Sequence, residues 1–321
     1  MSKDIFVLIE HLRGEVADIS YMALAQANSI ARSTGGKVVA VLLCKEAGNL
    51  SAKLAADEVL AVESPALEHF TGEVYQAVLA QIVKERQPGL VLMGETSIGS
   101  DVAGGVAAKL DLPLISMCNL LTAEGGKLTA TCQICGGKIM AEIDVPETAT
   151  VLTLIPGKFA VEEGQREGAP VTKVAAPAIE QPKVVFKQYI EPAGEDIDIS
   201  KESILIGVGR GIGNQDALED LEKLAEAMGG VLCASRPVVD QNWLPATRLV
   251  GKSGKRIGGK LYLALGISGA PEHTEAITGC DLIIAVNTDP KAPIFNIAKY
   301  GAEIDLLDLV PVLTEKIQDA R

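Results

Sequence analysis

Residues 202–213 read ESILIGVGRGIG, an apolar run of strand length that breaks into alternating glycines around a single arginine. The segment after it, QDALEDLEKLAEAMGG (215–230), reads as a capped helix that stops on a glycine pair. A strand, a helix and then a second strand, VLCAS (231–235), make one βαβ unit, and such units build parallel sheets. The series continues through LYLALGIS (261–268), DLIIAVN (281–287) and AEIDLL (302–307), and DLVPVLTEKIQDA (308–320) closes the chain as a helix.

The same grammar runs through the first half. DIFVLIE (4–10) and KVVAVLLC (37–44) are continuous apolar runs, the pattern of strands covered on both faces. Between them Val16, Ile19, Ala23, Leu24, Ala27, Ile30 and Ala31 recur at helical spacing, and Gly35-Gly36 supplies the stop. EVLAVES (58–64), GLVLMGE (89–95) and LPLISMCN (112–119) are further strands, with helices expected over 71–87 and 100–110. KLTATCQ and GGKIMAEIDV read as an antiparallel hairpin, followed by a strand at ATVLTLI (149–155). Between residues 156 and 200 the prolines 156, 170, 177, 182 and 192 break the pattern, which marks a linker carrying at most a short strand at KVVFKQY (183–189). The expectation is an α/β protein of two domains, 1–195 and 196–321, each a mostly parallel sheet flanked by helices.

Composition narrows the function. With 321 residues, two cores are expected rather than one. Aromatics are 3% and the formal net charge is −13, which argue against base stacking and against binding a phosphate backbone. No apolar run reaches the ~18 residues of a membrane-spanning helix, and Asp4, Glu10 and Arg13 arrive too early for a signal peptide. These features set the expectation of a cytoplasmic protein that neither enters membranes nor binds nucleic acid. The six cysteines sit mostly in apolar runs. Cys132 and Cys135 form a single CxxC without a second pair or nearby histidines, so no metal site is expected.

Chemistry is expected where parallel strands end. The first strand of the second half exits into Gly207-Val208-Gly209-Arg210-Gly211-Ile212-Gly213. This loop can cradle a phosphate, yet it misses the dinucleotide fingerprint, because the third glycine position falls on Ile212 or on Asn214. Glycine-rich strand ends also simply make turns, so the loop alone decides little. The other strands exit into Ser235-Arg236-Pro237, Gly266-Ile267-Ser268-Gly269-Ala270-Pro271-Glu272-His273, Asn287-Thr288-Asp289-Pro290 and Asp305-Leu306, with a small, basic loop Val250-Gly251-Lys252-Ser253-Gly254-Lys255 between them. Five strand ends of this kind indicate a nucleotide site.

Taken in order, SRPVVD (235–240), LVGKSGK (249–255), LYLALGISGAPEH (261–273), AVNTDPKAPIF (285–295) and YGAEIDLLDLVPVLTEKI (300–317) closely resemble the alpha subunits of electron transfer flavoproteins. The first half resembles them more loosely, through strand order, GGK (136–138) and TLIPGKF (153–159). The resemblance implies a Rossmann-like C-terminal domain that binds FAD, and an N-terminal domain that packs on a beta subunit. It implies a carrier that takes electrons from dehydrogenases to a quinone- or ferredoxin-linked acceptor, with no catalytic residues of its own. Whether electrons are bifurcated depends on the beta subunit's flavin and stays open.

By the same resemblance, Arg210, Ser235, Arg236, Val250, Gly251, Lys252, Ser253, Ser268, Gly269, Ala270, Pro271, Glu272, His273, Asn287, Asp305 and Leu306 line the FAD site. Arg210 and the glycine loop take the phosphate side, Asp305 takes the adenine end, and Arg236, Ser253 and His273 stand nearest the flavin ring. A cation beside that ring raises its reduction potential, and a histidine can offer it a hydrogen bond or a charge. Two positions depart from the family pattern: Ser253 replaces a common Thr, and Glu272 a common Gln. A carboxylate there opposes ring reduction unless Lys252 or Arg256 neutralises it. The rival reading, a pyridine-nucleotide dehydrogenase, needs an acidic residue at the end of VLCAS, where Ser235 and Arg236 stand instead.

Overall fold

The structure, a computed structural model, describes residues 2–135, 137–155, 159–178, 182–189 and 197–320. It divides into two compact units, Met1–Gln188 and Tyr189–Arg321. The boundary expected at 195/196 lies outside the described residues.

In the first unit β1 (Ile5–Ile9) leads through the short pair β2 (His11–Leu12) and β3 (Glu15–Val16) into α1 (Asp18–Thr34). Then come β4 (Val38–Cys44), β5 (Glu58–Glu63), α2 (Gly72–Arg86), β6 (Leu90–Gly94) and α3 (Ser97–Leu110). The unit ends with β7 (Leu114–Glu124), β8 (Lys127–Ile134), β9 (Ile139–Asp144), β10 (Thr150–Leu154) and β11 (Val171–Ala175). One sheet holds them in the order β11-β5-β4-β1-β6-β10-β7-β8-β9. Pairing is parallel up to β7 and antiparallel from β7 through β9.

The unbroken apolar runs have a direct cause. Successive side chains of a strand point to opposite faces. Ile5, Val7 and Ile9 therefore pack with Leu24, Ala27 and Ile30 of α1, while Phe6 and Leu8 pack with Val78 and Leu79 of α2 and Val102 and Val106 of α3. Gly35 ends α1 at φ 75°, its N–H bonded to Ala31 O at 2.8 Å.

The region expected as a linker differs from that reading. Val171–Ala175 forms β11, paired in parallel with β5 at the sheet edge, and residues 183–189 form no strand. Instead Lys183 N–H donates to Glu73 Oε2 at 2.7 Å, and Phe186 stacks on His69 with centroids 3.9 Å apart. Of the CxxC, Cys132 is buried in β8, where its register partner is Cys118 on β7, and Cys135 is exposed in the following turn at φ 53°.

The second unit comprises β12 (Ile204–Val208), α4 (Leu218–Met228), β13 (Val231–Ala234), α5 (Arg236–Asp240), β14 (Leu261–Leu265), α6 (Pro271–Thr274), β15 (Ile283–Asn287), β16 (Tyr300–Glu303) and α7 (Leu306–Asp319). All pairings are parallel in the order β13-β12-β14-β15-β16, a doubly wound 2-1-3-4-5 sheet whose chain reverses direction between β12 and β14. Leu221 and Leu224 of α4 and Leu306 and Val310 of α7 cover one face. The other face is covered largely by loops and short turns, including Val250, Ile257, Ile267 and Ile294. The last strand is shorter than AEIDLL implied: it ends at Glu303, and Asp305 caps α7 by accepting Leu307 N–H at 2.9 Å.

Candidate cofactor site

The carboxyl ends of β12, β13, β14 and β15 converge on a cavity of about 610 Å³, within the ordinary range for small-molecule sites. After β12 the chain makes a turn of 3-10 helix over Arg210–Ile212. Gly209 there lies so close to the turn after β14 that a Cβ on it would come within 2.1 Å of Gly266 O. The glycine pattern thus serves backbone-to-backbone packing of two strand-end loops, and Arg210 projects from that packed turn. After β13, Ser235 is buried with its N–H on Val208 O at 2.9 Å. Arg236 follows, hydrogen-bonded through Nη2 to Ser253 Oγ and 3.6 Å from Asp240.

Residues 249–257 form an arm fastened at several points. Val250 N–H bonds to Ala234 O at 2.9 Å, Lys252 N–H to Glu272 O at 2.7 Å, and Ile257 N–H to Ala276 O at 2.9 Å. Arg256 pairs with the buried carboxylate of Glu275. It is therefore committed to Glu275 rather than to Glu272, and of the two expected neutralising cations Lys252 is the one that lines the cavity with Glu272. After β15, the Asn287 carboxamide is turned inward, donating to Ile267 O at 2.9 Å and accepting from Asp289 N–H at 3.0 Å.

Of the residues singled out from sequence, Arg210, Ser235, Arg236, Val250, Gly251, Lys252, Ser253, Ser268, Ala270, Glu272, His273 and Asn287 line this cavity. Gly269, Pro271, Asp305 and Leu306 do not. Gly269 packs under the turn against Ile294, Pro271 opens α6, Asp305 caps α7, and Leu306 is buried behind Gly266. Asp305 and Leu306 belong to a helix start because the final strand stops short of them. Gly211, Pro237, Leu249, Gly266 and Ile267 also line the wall. Gly211, Pro237, Gly266 and Ile267 lie in the strand exits read from the sequence and Leu249 directly precedes Val250, but their apolar or backbone character kept them out of the expected site set.

His273 differs most from its expected role. It is 6% exposed, and burial pushes its pKa down to about 4. Both ring nitrogens are used inside the protein, Nδ1 with Val250 O at 3.1 Å and Nε2 with the Tyr262 hydroxyl at 2.8 Å. Of the two roles expected of it, a hydrogen bond or a charge, the charge is not held there at neutral pH.

The wall thus carries three cations, Arg210, Arg236 and Lys252, against the single carboxylate Glu272. Hydroxyls of Ser235, Ser253 and Ser268 and apolar surface from Pro237, Leu249 and Ile267 complete it. Cations with hydroxyls suit a diphosphate, and apolar wall suits a flat ring, so the donor set fits a flavin nucleotide. Among the described residues no group of His, Cys, Asp or Glu is arranged to hold a metal ion, and no helix is long and apolar enough to cross a membrane.

Comparison with known proteins agrees with this chemistry. Residues 5–179 match the electron transfer flavoprotein domain and residues 198–278 the electron transfer flavoprotein FAD-binding domain. The electron transfer flavoprotein subunit alpha of Thermoanaerobacterium thermosaccharolyticum is 35% identical over 98% of both chains. The subunit of the same name from Methylophilus methylotrophus is 35% identical over 96% of this chain and 97% of its own. The acryloyl-CoA reductase electron transfer subunit beta of Anaerotignum propionicum is 31% identical over 99% of this chain and 96% of its own.

Proposed function

The chain belongs to the electron transfer flavoprotein family as an alpha subunit, and we propose that it is the FAD-holding half of a heterodimeric electron carrier. An electron-transfer role and a flavin cofactor come with that membership. The observation that carries the finer reading is the cavity at the strand ends of residues 204–287, where three cations and three serines meet. Bound there, FAD would supply reversible uptake of electrons. Arg210 and Lys252 would hold its diphosphate, and Arg236, fixed by Ser253, would stand beside the ring. The N-terminal unit would pack on the beta subunit. Dehydrogenases would supply the electrons, and a quinone- or ferredoxin-linked acceptor would take them; the Anaerotignum relative is itself named as the electron transfer subunit of a reductase. Six unpaired cysteines suit a reducing cytoplasm.

The direct test is to purify the chain with its beta subunit, record the visible spectrum, and count FAD before and after mutation of this cavity. One FAD lost on replacing Arg210 and Lys252 together is the expected result; unchanged flavin content places the cofactor elsewhere.

Arg236 gives a sharper electrical readout. A unit charge about 4 Å from the ring, at an effective dielectric of about 20, interacts by about 4 kcal/mol. The Arg236 side chain is 53% exposed, so solvent and salt cut this to roughly 1–2 kcal/mol, which is some tens of millivolts per electron. Arg236→Ala is expected to keep FAD bound and lower its midpoint by that amount, with Arg236→Lys restoring part of it. A midpoint that does not move in potentiometric titration removes Arg236 from the ring.

A further inference from the structure

Beneath the cavity floor runs a buried polar chain that the proposed electron chemistry does not use. Tyr262, on the central strand β14, is fully buried, and its hydroxyl meets His273 Nε2 at 2.8 Å. His273 Nδ1 meets Val250 O at 3.1 Å. A carbonyl oxygen only accepts, so Nδ1 carries the proton of this bond. In the neutral ring Nε2 then has only a lone pair to offer, and the phenol is the donor. Space has been made for that phenol: a Cβ on Gly207 of β12 would lie 2.0 Å from the Tyr262 hydroxyl oxygen. The first glycine of the motif-like loop is therefore accounted for by Tyr262, and needs no phosphate.

We propose that Tyr262 is a positioning residue, whose hydroxyl locks His273 as the Nδ1-protonated neutral tautomer so that the imidazole pins the Val250–Ser253 arm. Burial acts in the same direction, since it disfavours the charged imidazole and holds the phenol in its protonated form. The titratable groups around Tyr262 are the thiols Cys233 and Cys280, both pushed up by burial. Around His273 the charges are Glu272 and Glu275 beside it in sequence, Arg256 paired with Glu275, and Lys252, whose backbone N–H is on Glu272 O. The hydrogen bonds of the ring itself go to Tyr262 and Val250. Severing the phenol bond leaves Nε2 facing apolar surroundings with an unused lone pair, and raises the ring's affinity for a proton.

The test begins on the full-length chain labelled with ¹⁵N-histidine, before any flavin is added, so it does not depend on the proposed function. The chain has three histidines, and His273→Asn identifies the signal. Wild-type His273 should show a protonated Nδ1 and an unprotonated Nε2, unchanged from pH 5.5 to 8. In Tyr262→Phe its titration midpoint should rise by about one pH unit, the size of one lost hydrogen bond. Amide exchange at Lys252 should also quicken by about tenfold, a second readout of the loosened arm. A wild-type ring protonated on Nε2, or one titrating near pH 6.5, overturns the proposal. So does a Tyr262→Phe protein whose tautomer and titration match the wild type. The wild-type spectrum decides the tautomer even if the variant folds poorly. A last arm rests on the flavin reading: reconstituted with FAD and its beta subunit, Tyr262→Phe should hold flavin about tenfold more weakly, and its failure alone bears on the site assignment and not on the tautomer.

Discussion

Glu10→Gln is expected to stabilise the N-terminal unit by about 3 kcal/mol above pH 7 and to leave it nearly unchanged at pH 4. Glu10 follows β1 with 5% of its surface exposed, and its Oε2 accepts from the Thr96 hydroxyl at 2.7 Å. Its other oxygen lies in a niche where a Cβ on Gly94 or Gly99 would come within 2.7 or 2.8 Å. Burial raises the carboxyl from 4.5 to about 7, against the pull of the Thr96 hydrogen bond. In the unfolded chain the group ionises near pH 4.5, and in the folded chain near 7. Between those values unfolding releases a proton, so wild-type stability falls as pH rises through the window and then levels off. The interval corresponds to about 3 kcal/mol. Glutamine keeps an acceptor for Thr96 and carries no charge, so the variant should show no such fall. Denaturant melts of both proteins from pH 4 to pH 8 read the difference directly. A gap that stays constant with pH would mean that Glu10 is solvated in the folded state.

The contrast between what the sequence disclosed and what it did not follows from the range of the interactions. IFVLI and VVAVLLC were legible as doubly covered strands because their pattern is local, and the packing of alternate residues on α1 and on α2 and α3 bears this out. The strand ends of the second unit were legible for the same reason, since ligand-type residues directly follow apolar runs. β11 was hidden because Pro170 and the glutamates before it look like a linker, and only pairing with the distant β5 makes Val171–Ala175 a strand. Asp305 looked like a strand-end ligand until the helix beginning at Leu306 claimed its carboxylate as a cap. The Tyr262–His273 bond, and the pairing of Arg256 with Glu275 in place of Glu272, depend on how an arm and a helix meet over a sheet. No spacing in the chain encodes that meeting.

Gly269→Ala should empty the cavity of flavin and cost the C-terminal unit several kcal/mol, although it adds one methyl group to a residue that does not touch the ligand space. Gly269 sits at φ 88°, a conformation that costs an L-residue roughly 1–2 kcal/mol. The added Cβ would also lie 2.2 Å from Ile294 N and 2.6 Å from Ile294 Cα. Both are backbone atoms, so no rotamer change relieves the contact and one segment must move. Ile294 is fully buried and its N–H is on Ser268 O at 3.0 Å. Displacement therefore opens the core beneath the sheet and carries Ser268 and Ala270 away from the cavity wall. Strain plus disrupted packing puts the expected loss at about 3–5 kcal/mol. Gly104 supplies the matched control. It lies inside α3, and a Cβ there would meet nothing within 4 Å, so Gly104→Ala should stabilise by about 0.5–1 kcal/mol. The same chemical change thus has opposite signs in the two units, which excludes a general effect of losing a glycine. Flavin absorbance per heterodimer and melts of the two variants measure both effects. If Gly269→Ala retains flavin and melts with the wild type, the turn does not hold the site, and the wall formed by Ser268 and Ala270 must be supported from elsewhere.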